Sequence, residues 1–368
     1  MRPPPHRLER LPQQYFTALL AKVSEHAALD GEPLVDLGRG NPEVGPPAHV
    51  VEALAAAAAR PDVHGYAPFA GLPALKGAIA TRYRDVYGVE LDPAREIAVL
   101  PGTKTGLMEF ALCAVERGGR IVLPNPGYPD YFSAVALAGA QVVSFSGFDT
   151  PGDAMYLNFP TNPTARAAPD GVFDDAVDWA RRNDAWVLHD FAYGDLVFDD
   201  RAPRSFLAAD GARDVGLELF SMSKSYGMAG WRLGFALGNA ELVRRIETLQ
   251  EHAFAGIFRP VQEAGVAALT GPQDSVEERR VTYEGRRDRA LAALEGIEAR
   301  SEGTFFVWFR LPSGVTVEGL LTEQRVAVAP GEGFGARGAG WARLSLAVSD
   351  ETLELGLARL RPLLSPAR

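Results

Sequence analysis

Short apolar runs alternate with segments of helical periodicity along the first two thirds of the chain. The apolar runs show little polar alternation, as expected of strands that are buried on both faces. They are Ile97–Leu100, Ile121–Leu123, Gln141–Phe145, Met155–Phe159, Trp186–His189, Leu217–Phe220 and Leu233–Leu237. Helical segments separate several of these runs. The pattern therefore predicts an α/β core, a mostly parallel seven-stranded sheet sandwiched by helices.

Helical periodicity is strongest before the first strand and after the last one. Two helices are predicted early in the chain, Val50–Arg60 and Leu72–Tyr87. After the last strand the pattern predicts two long helices with charges at helical spacing, Glu241–Leu269 and Asp274–Glu298. Helices of this length are able to bridge two domains.

The C-terminal part predicts a smaller α+β unit. Its elements are the strands Thr304–Leu311, Val326–Ala329 and Ala342–Ala347, followed by the helix Asp350–Leu363. Single cores rarely grow beyond roughly 250 to 300 residues, so a chain of this length is expected to divide. We predict an N-terminal segment of residues 1–45 that joins the small domain, a large domain of residues 46–265 and a small C-terminal domain of residues 266–368.

Composition narrows the possible functions. The 368 residues are 47% hydrophobic and 23% charged, which is ordinary for a globular protein with a large core. A net charge of −10 argues against partners such as nucleic acid or a membrane surface, because both favour basic faces. There is no signal-peptide pattern or membrane-length apolar run, and the single Cys113 excludes an intrachain disulfide. We expect a cytoplasmic protein that acts on small molecules.

Lys224 is the first candidate for chemistry, because it lies in the small and polar stretch Ser221–Arg232. A lysine that forms a Schiff base with an aldehyde cofactor needs hydroxyls and a fixed cation for the cofactor's phosphate. Ser221 and Arg232 are candidates for these two tasks. Taken alone, Lys224 is better explained as a solvated lysine of a loop, so the interpretation depends on partners elsewhere in the chain.

Candidate partners follow the ends of the predicted strands, where α/β proteins bind ligands. Asp190 ends one apolar run, and an anion there would keep a pyridine nitrogen protonated. Tyr193 and Asn162 are suited to donate to a phenolate oxygen on the same ring. Each residue also has an ordinary explanation, Asp190 and Asn162 as turn residues and Tyr193 as packing.

Two further segments suit a phosphate and a flat ring. Gly102, Thr103 and Lys104 lie between a predicted strand and a helix, where backbone amides bind anions. Their segment lacks the glycine spacing of the nucleotide-binding loops. Tyr128 lies in a proline-rich turn, where its ring either presses against a cofactor or packs at the surface.

Eight segments together, in family order, resemble the class I/II aminotransferases, enzymes of fold type I that use pyridoxal 5'-phosphate. The segments are Asp36–Glu43, His64–Tyr66 with Gly71–Pro73, Pro101–Gly106, Pro126–Tyr131, Asn162–Thr164, Asp190–Tyr193, Ser221–Arg232 and Ala342–Ser345. The resemblance covers nearly the whole chain. It implies a large cofactor-binding domain and a smaller domain from both termini. Within the family, the chain looks most similar to methionine-salvage transaminases and LL-diaminopimelate aminotransferase-like enzymes.

This resemblance also implies roles for the residues around the cofactor ring. Lys224 would form the Schiff base and then shuttle the proton. Asp190 would pair with the pyridinium, and Asn162 and Tyr193 would hold the phenolate oxygen. Tyr128 would stack on the ring and, with Asn162, contact the substrate.

The phosphate would be bound by several residues of two subunits. They are Ser221, Arg232, the backbone near Gly102, Thr103 and Lys104, and Tyr66 of a second subunit. This implies a homodimer with shared active sites. Arg343 matches the arginine that binds the substrate α-carboxylate through its guanidinium fork, although taken alone it is better explained as an exposed arginine of a strand. Gly40 would lend a backbone amide to the same carboxylate.

Three features bear on the choice of substrate. Segment 146–154 is shorter than in the relatives, so part of the usual site wall is expected to be missing. Ala165 stands where the relatives have glycine, which predicts a turn without positive φ. Arg39 meets either an acidic side chain or solvent, and we expect solvent.

The resulting functional hypothesis is an aminotransferase that exchanges an amino group between an L-amino acid and a 2-oxo acid by a ping-pong mechanism. No metal is implied. A pyridoxal-phosphate-dependent β-eliminating lyase of the cystathionine or cysteine-S-conjugate type is the alternative, because it needs the same lysine, aspartate and arginine. A non-catalytic, cofactor-binding regulator is the third hypothesis, and the acidic charge counts against it.

Overall fold

The computed structural model describes residues 4–364. The helices are α1 His6–Glu9, α2 Tyr15–Ala27, α3 Ala48–Ala58, α4 Pro73–Tyr87, α5 Thr103–Ala114, α6 Asp130–Ala138, α7 Val172–Asn183, α8 Ala212–Val215, α9 Met222–Ser225, α10 Ala240–Ala253, α11 Arg259–Thr270, α12 Asp274–Ala293, α13 Val317–Thr322 and α14 Asp350–Leu364. The strands are β1 Val35–Asp36, β2 Ile97–Leu100, β3 Arg120–Leu123, β4 Gln141–Ser144, β5 Ala154–Asn158, β6 Trp186–Phe191, β7 Gly216–Ser221, β8 Gly234–Gly238, β9 Ala299–Arg300, β10 Phe306–Arg310, β11 Val326–Ala327, β12 Ala329–Pro330 and β13 Trp341–Ser345.

The central sheet has seven strands in the order β2-β8-β7-β6-β5-β3-β4. Strand β8 runs antiparallel to both of its neighbours, and the other strand pairs are parallel. Every strand of the sheet lies within two residues of its predicted limits. The predicted α/β class and the mostly parallel seven-stranded sheet are therefore confirmed.

Both faces of this sheet are covered, which explains why its strands lack polar alternation. Along β5, Met155 and Leu157 belong to one buried cluster, whereas Tyr156 belongs to a second cluster on the opposite face. Along β6, Val187 and Leu188 divide in the same way. Successive side chains of a strand point to opposite faces, so a strand with two buried faces needs apolar residues at every position.

The C-terminal strands form a second, antiparallel sheet in the order β12-β13-β10-β9, while β1 pairs in parallel with β11. The N-terminal segment therefore contacts the C-terminal unit. The predicted strand Val326–Ala329 is divided, because β11 pairs with β1 and β12 pairs with β13. The domain limits at residues 45 and 265 stay a prediction, and residues 1–3 and 365–368 of those domains lie outside the described range.

Helix α12 contacts both apolar cores. Val276 packs in the cluster of the central sheet, whereas Tyr283 and Ala290 pack in the C-terminal cluster. The helix ends at Ala293, before its predicted limit, and Gly296 then turns the chain with φ of 86°. Neither α12 nor any other helix of residues 4–364 is long and apolar enough to cross a membrane.

The predicted single helix Glu241–Leu269 is wrong. The structure has two helices there, α10 and α11, separated by residues 254–258. Gly256 has φ of 86° in this connection, and Pro260 lies in the first turn of α11. Because proline has no N–H and its ring collides with a preceding turn, it begins a helix more readily than it continues one.

A buried carboxylate of strand β7 forms hydrogen bonds with strand β6, helix α4 and the segment before α8. Glu218 of β7 is fully buried and accepts from Tyr83 Oη at 2.7 Å, Ser205 Oγ at 2.8 Å and the Phe206 N–H at 2.7 Å. His189 Nδ1 of β6 lies 2.7 Å from the same carboxylate. Four partners saturate both oxygens, so the cost of burying this group is offset by its hydrogen bonds.

Replacing Glu218 with alanine is expected to lower the free energy of unfolding by about 3 to 5 kcal/mol, because four buried polar groups lose their shared partner. Chemical denaturation of the purified variant measures this change. The control is Glu251→Ala on the exposed face of α10, which should change stability by less than about 0.5 kcal/mol. Equal effects of the two substitutions would show that the buried network contributes nothing special.

Candidate active site

The sheet brings the predicted site residues to one edge, because the carboxyl ends of parallel strands meet there. Asp190 lies near the end of β6, and α9 with Lys224 follows β7 directly. The turn that contains Asn162 follows β5. Strand β8 is antiparallel, and Ser221 at the end of β7 pairs with Gly234 at the start of β8, so Arg232 reaches the same edge.

A cavity of about 670 Å³ opens at this edge, between the central sheet and the C-terminal unit. The predicted site residues that line it are Gly40, Thr103, Lys104, Tyr128, Asn162, Asp190, Tyr193, Ser221, Lys224, Arg232 and Arg343. Gly102 lies beside Arg232 and is not among the described lining residues. Tyr66 lies away from the cavity and is 89% exposed, so its predicted role across a subunit interface stays a prediction.

Lys224 is half-buried in the cavity, and its Nζ donates a hydrogen bond to the Gly40 carbonyl at 3.0 Å. Burial lowers the pKa of the amine to about 8, and the nearby cations Arg343 and Arg232 act in the same direction. A lysine with this pKa has a substantial neutral fraction near physiological pH. Gly40 thus contributes its carbonyl, whereas the predicted role of its amide is not tested.

Asp190 is buried and held by two donors. Tyr131 Oη donates to Oδ2 at 2.8 Å, and the Ala192 N–H donates to Oδ1 at 3.1 Å. Burial raises the pKa of Asp190, while the Tyr131 hydroxyl and the Ala192 amide oppose that rise. The sequence pattern did not assign Tyr131, although it lies three residues after Tyr128 in the same matched segment.

Arg343 is a buried guanidinium, and no carboxylate of residues 4–364 is paired with it. It is 1% exposed, which rules out the alternative of an exposed strand arginine. Its Nη1 donates to Asn162 Oδ1 at 2.7 Å and its Nη2 to the Gly38 carbonyl at 3.2 Å, while Nε has no partner within residues 4–364. The Phe306 ring lies 3.8 Å from Cζ, and burial lowers the pKa of Arg343 to about 10. Such a group favours binding of a carboxylate.

Asn162 and Tyr193 are both buried donors beside these charged groups. Because Asn162 Oδ1 accepts from Arg343, the amide presents Nδ2 as its donor atom. Burial raises the pKa of Tyr193, with Arg343 opposing that rise, so its hydroxyl stays protonated and able to donate. Both arrangements suit an anionic oxygen on a bound ring.

The turn after Asn162 departs from its predicted geometry. Ala165 has φ of 52°, so the expectation of a turn without positive φ is wrong. Its N–H donates to the Thr161 carbonyl at 2.9 Å, and its own carbonyl accepts from the Glu302 N–H at 2.7 Å. These backbone hydrogen bonds hold a conformation that costs a non-glycine residue roughly 1 to 2 kcal/mol.

The start of α5 forms the corner predicted for a phosphate. Gly102 precedes the helix with φ of 86°, and no side chain of the described residues caps the first turn. A Cβ at Gly102 would lie 2.2 Å from Arg232 Nη2, so only glycine lets this guanidinium approach the helix start. The helix N-terminus and the cation both favour an anion.

Lys104 and Ser221 already have partners near this corner. Lys104 Nζ lies 2.9 Å from Asp130 Oδ1, so its charge is paired within the chain. Ser221 Oγ accepts from the Ser223 N–H at 3.2 Å and thereby caps α9. The Ser221 hydroxyl hydrogen is left to donate elsewhere, which is compatible with its predicted task.

The structure also locates segment 146–154 and Arg39, the two other features that were expected to affect substrate choice. Segment 146–154 contributes no residue to the described cavity lining and instead packs on α7, where Trp179 Nε1 donates to the Thr150 carbonyl at 2.7 Å. The expectation that its shortness leaves part of the usual site wall missing stays a prediction. Arg39 lines the cavity, and its side chain is 60% exposed, as expected, but it pairs with Asp36.

One wall of the cavity was missed in the sequence pattern. It comes from α2, whose residues Phe16, Leu19, Leu20 and Val23 line the cavity. Their spacing of i, i+3, i+4 and i+7 is the signal of an apolar helix face and was available in the sequence. Gln14 caps this helix, since its Oε1 accepts from the Phe16 N–H at 2.9 Å.

Comparisons with known proteins agree with this geometry. Residues 32–360 match the family model described as aminotransferase class I and II. The L-glutamine–4-(methylsulfanyl)-2-oxobutanoate aminotransferase of Bacillus subtilis is 41% identical, over 96% of this chain and 95% of that protein. An LL-diaminopimelate aminotransferase of Moorella thermoacetica is 36% identical, over 97% of each chain. The substrate-bound BacF structure from Bacillus subtilis superposes with a TM-score of 0.92 at 35% identity, covering 99% of this chain and 98% of that one.

The chain therefore belongs to the class I and II aminotransferase family, with the fold type I architecture that the resemblance implied. It is an aminotransferase, an enzyme that transfers amino groups. The lyase alternative finds no support in these comparisons.

Replacing Gly102 with alanine is expected to lower the free energy of unfolding by about 1 to 3 kcal/mol, because alanine at this φ is strained and its Cβ displaces Arg232. Thermal or denaturant unfolding measures the effect. Gly77→Ala in α4 is the matched control, since a Cβ added there meets nothing within 4 Å and alanine favours a helix by about 0.5 to 1 kcal/mol. A stabilised Gly102 variant would contradict the close approach of Arg232.

Proposed function

We propose that this aminotransferase uses pyridoxal 5'-phosphate, with Lys224 as the residue that carries the cofactor and moves the proton, in a ping-pong exchange between an L-amino acid and a 2-oxo acid. The observation that carries the proposal is the cavity itself. It joins a lysine of lowered pKa, a buried aspartate and a buried arginine without an anion. These are the three charges that amino-group transfer on a pyridine ring requires.

The residues present fit this cofactor. The start of α5 and Arg232 offer two anion-binding groups side by side for the phosphate, and Gly102 leaves the space for them. Asp190 offers a buried carboxylate for the ring nitrogen. Asn162 and Tyr193 offer neutral donors for the phenolate oxygen, because one presents an amide and the other a protonated hydroxyl.

Pyridoxal 5'-phosphate, when bound, supplies an aldehyde carbon that takes up the amino group and a ring that accepts the electron pair left on the α-carbon when its proton departs. Lys224 Nζ would hold the cofactor through this aldehyde carbon. Once free, the amine would serve as the base for the substrate α-proton and as the acid that returns it, a role that needs a pKa near the working pH. Asp190 would hold a proton on the ring nitrogen, and Tyr131 Oη donates to Asp190 and so orients its carboxylate.

Arg343 binds the substrate α-carboxylate in this proposal. Its fork is buried, and the partners described for it are neutral, so a carboxylate gains a charge-assisted contact that costs no further burial of the arginine. Asn162 fixes one arm of the fork through its Oδ1. Gly40 lies close to the same fork, and Tyr128 lines the facing wall.

A homodimer with Tyr66 reaching into the partner's site is part of the proposal, and the cytoplasm as its location stays a prediction. Support for the dimer comes from exposed aromatic rings on neighbouring segments. Tyr66 and Phe69 lie on one segment and Phe254 and Phe258 on another, and all four are exposed. Gly256 is close to the backbone of Phe69, so the two segments form one patch.

The cofactor's absorbance tests the proposed reaction directly. Adding an L-amino acid without a 2-oxo acid should convert the cofactor once, stoichiometrically, to its amine form, and a 2-oxo acid should then reverse the change. Sustained release of pyruvate and ammonia from cysteine derivatives would instead identify a lyase and overturn the proposal.

The lowered pKa of Lys224 gives a pH prediction. Because the neutral amine attacks the aldehyde, the rate of covalent cofactor attachment to cofactor-free protein should rise about tenfold per pH unit up to pH 8 and level off above it. Stopped-flow absorbance measures this rate. An ordinary lysine, with a pKa near 10.4, would show a rise that continues to pH 10.

Lys224→Ala should bind the cofactor without the covalent absorbance band, and an unchanged spectrum would refute the assignment.

Replacing Arg343 with alanine should lower kcat/KM for amino acids about ten- to hundredfold, because the carboxylate loses a charged hydrogen-bonded partner. The cofactor content, measured by absorbance, should stay unchanged. Arg310→Ala, on an exposed face of the neighbouring strand β10, is the control and should leave both quantities unchanged. Loss of cofactor from the Arg343 variant would instead assign Arg343 a structural role.

A further inference from the structure

The cavity has an apolar wall that the reaction chemistry does not use. Phe16, Leu19, Leu20 and Val23 of α2 all line it, and their spacing places them on one face of the helix. Leu20 is 45% exposed, although it is a large apolar residue. An apolar face that lines a cavity and stays partly uncovered favours contact with an apolar group of a ligand.

This wall begins beside the groups that hold the substrate. The Phe16 ring lies 5.5 Å from Arg343 Cζ and 5.9 Å from the Tyr128 ring. A substrate with its α-carboxylate on Arg343 lies next to the Phe16 end of the α2 face, so that face is within reach of its side chain. The α2 face is the apolar surface that starts at this point.

The helix is fixed in place by contacts at both ends. Gln14 Nε2 donates to Asp130 Oδ1 at 2.7 Å, and Tyr15 Oη donates to the Pro330 carbonyl at 2.8 Å. At the other end of the face, Val23 is buried with Leu321 and Ala327. The apolar face is therefore a defined wall of the cavity.

Charged side chains near the wall are already neutralised. Arg39 pairs with Asp36, and Lys104 pairs with Asp130. Lys224, Arg232 and Arg343 have the tasks proposed above. Among the described lining residues, no further cation remains for a second carboxylate of the substrate.

We infer that this enzyme selects L-amino acids, and the corresponding 2-oxo acids, with an extended apolar side chain, and that the α2 face provides the binding surface for that side chain. The inference rests on the proposed function. A polar or acidic side chain gains no hydrogen-bonding partner from the apolar side chains of this surface, whereas an apolar side chain buries surface against them.

A series of amino acids with unbranched side chains of increasing length tests the α2 face. The rate of the cofactor half-reaction per molar substrate should rise about fourfold with each methylene from alanine through 2-aminobutyrate and norvaline to norleucine, which is the gain expected for burying one CH2. Aspartate and glutamate should react more slowly than norleucine. A flat series, or the fastest reaction with glutamate, would overturn the inference.

Substitution of the wall provides a second test. Leu20→Glu places a carboxylate on the apolar face and should lower the rate with norleucine at least tenfold. The rate with alanine as substrate should change less than twofold, because the side chain of alanine ends at Cβ. Ala21→Glu is the control, because Ala21 is exposed next to Leu20 but lies off the lining face. Equal effects on alanine and norleucine would contradict a side-chain surface.

Binding of unreactive acids separates recognition from turnover. Calorimetry on the cofactor-loaded enzyme should show 4-methylpentanoate binding more tightly than glutarate, with the preference lost in Leu20→Glu. If no amino acid converts the cofactor, the proposed function itself fails. If amino acids convert it but glutarate and glutamate are preferred, and Arg39→Ala removes that preference, then Arg39 rather than α2 selects the side chain and this inference alone fails.

Discussion

The site depends on one constraint, a buried guanidinium that has no carboxylate partner in the part of the chain that the structure describes. Arg343 is held by Asn162 Oδ1, the Gly38 carbonyl and the ring of Phe306. Neutral partners orient the charge but do not cancel it, so the protein bears the cost of a buried cation in its resting form. The same cation lowers the pKa of Lys224, after burial itself. Burial and this uncompensated charge therefore act together on the lysine amine.

The central fold was predictable because its signal is local. Each strand with two buried faces needs apolar residues at every position, and the four consecutive apolar residues of Ile97–Leu100 meet that requirement. The site residues at strand ends follow from the same rule, since Asp190 and Ser221 close buried runs. The direction of β8 leaves no trace in its own residues, yet it brings Arg232 to the site edge.

Other features depend on tertiary contacts that a sequence pattern does not contain. Ala165 adopts φ of 52° because two backbone hydrogen bonds outweigh the preference of its side chain. Tyr131 becomes a partner of Asp190 only once α6 packs against the sheet. The helix α2 is a different case, because its apolar spacing was readable in the sequence. What the pattern lacked was any indication that the face lines a cavity instead of a core.

The short segment between β1 and Asn41 has a consequence for turnover. The Gly38 carbonyl accepts from Arg343, and the Gly40 carbonyl accepts from Lys224. A ligand that displaces either carbonyl therefore exchanges one hydrogen-bond partner for another, and the net binding free energy is a difference between two similar sets of contacts. Such an exchange limits affinity for substrate and product alike. A reversible two-step enzyme benefits from this limit, because each product must leave before the next acid enters.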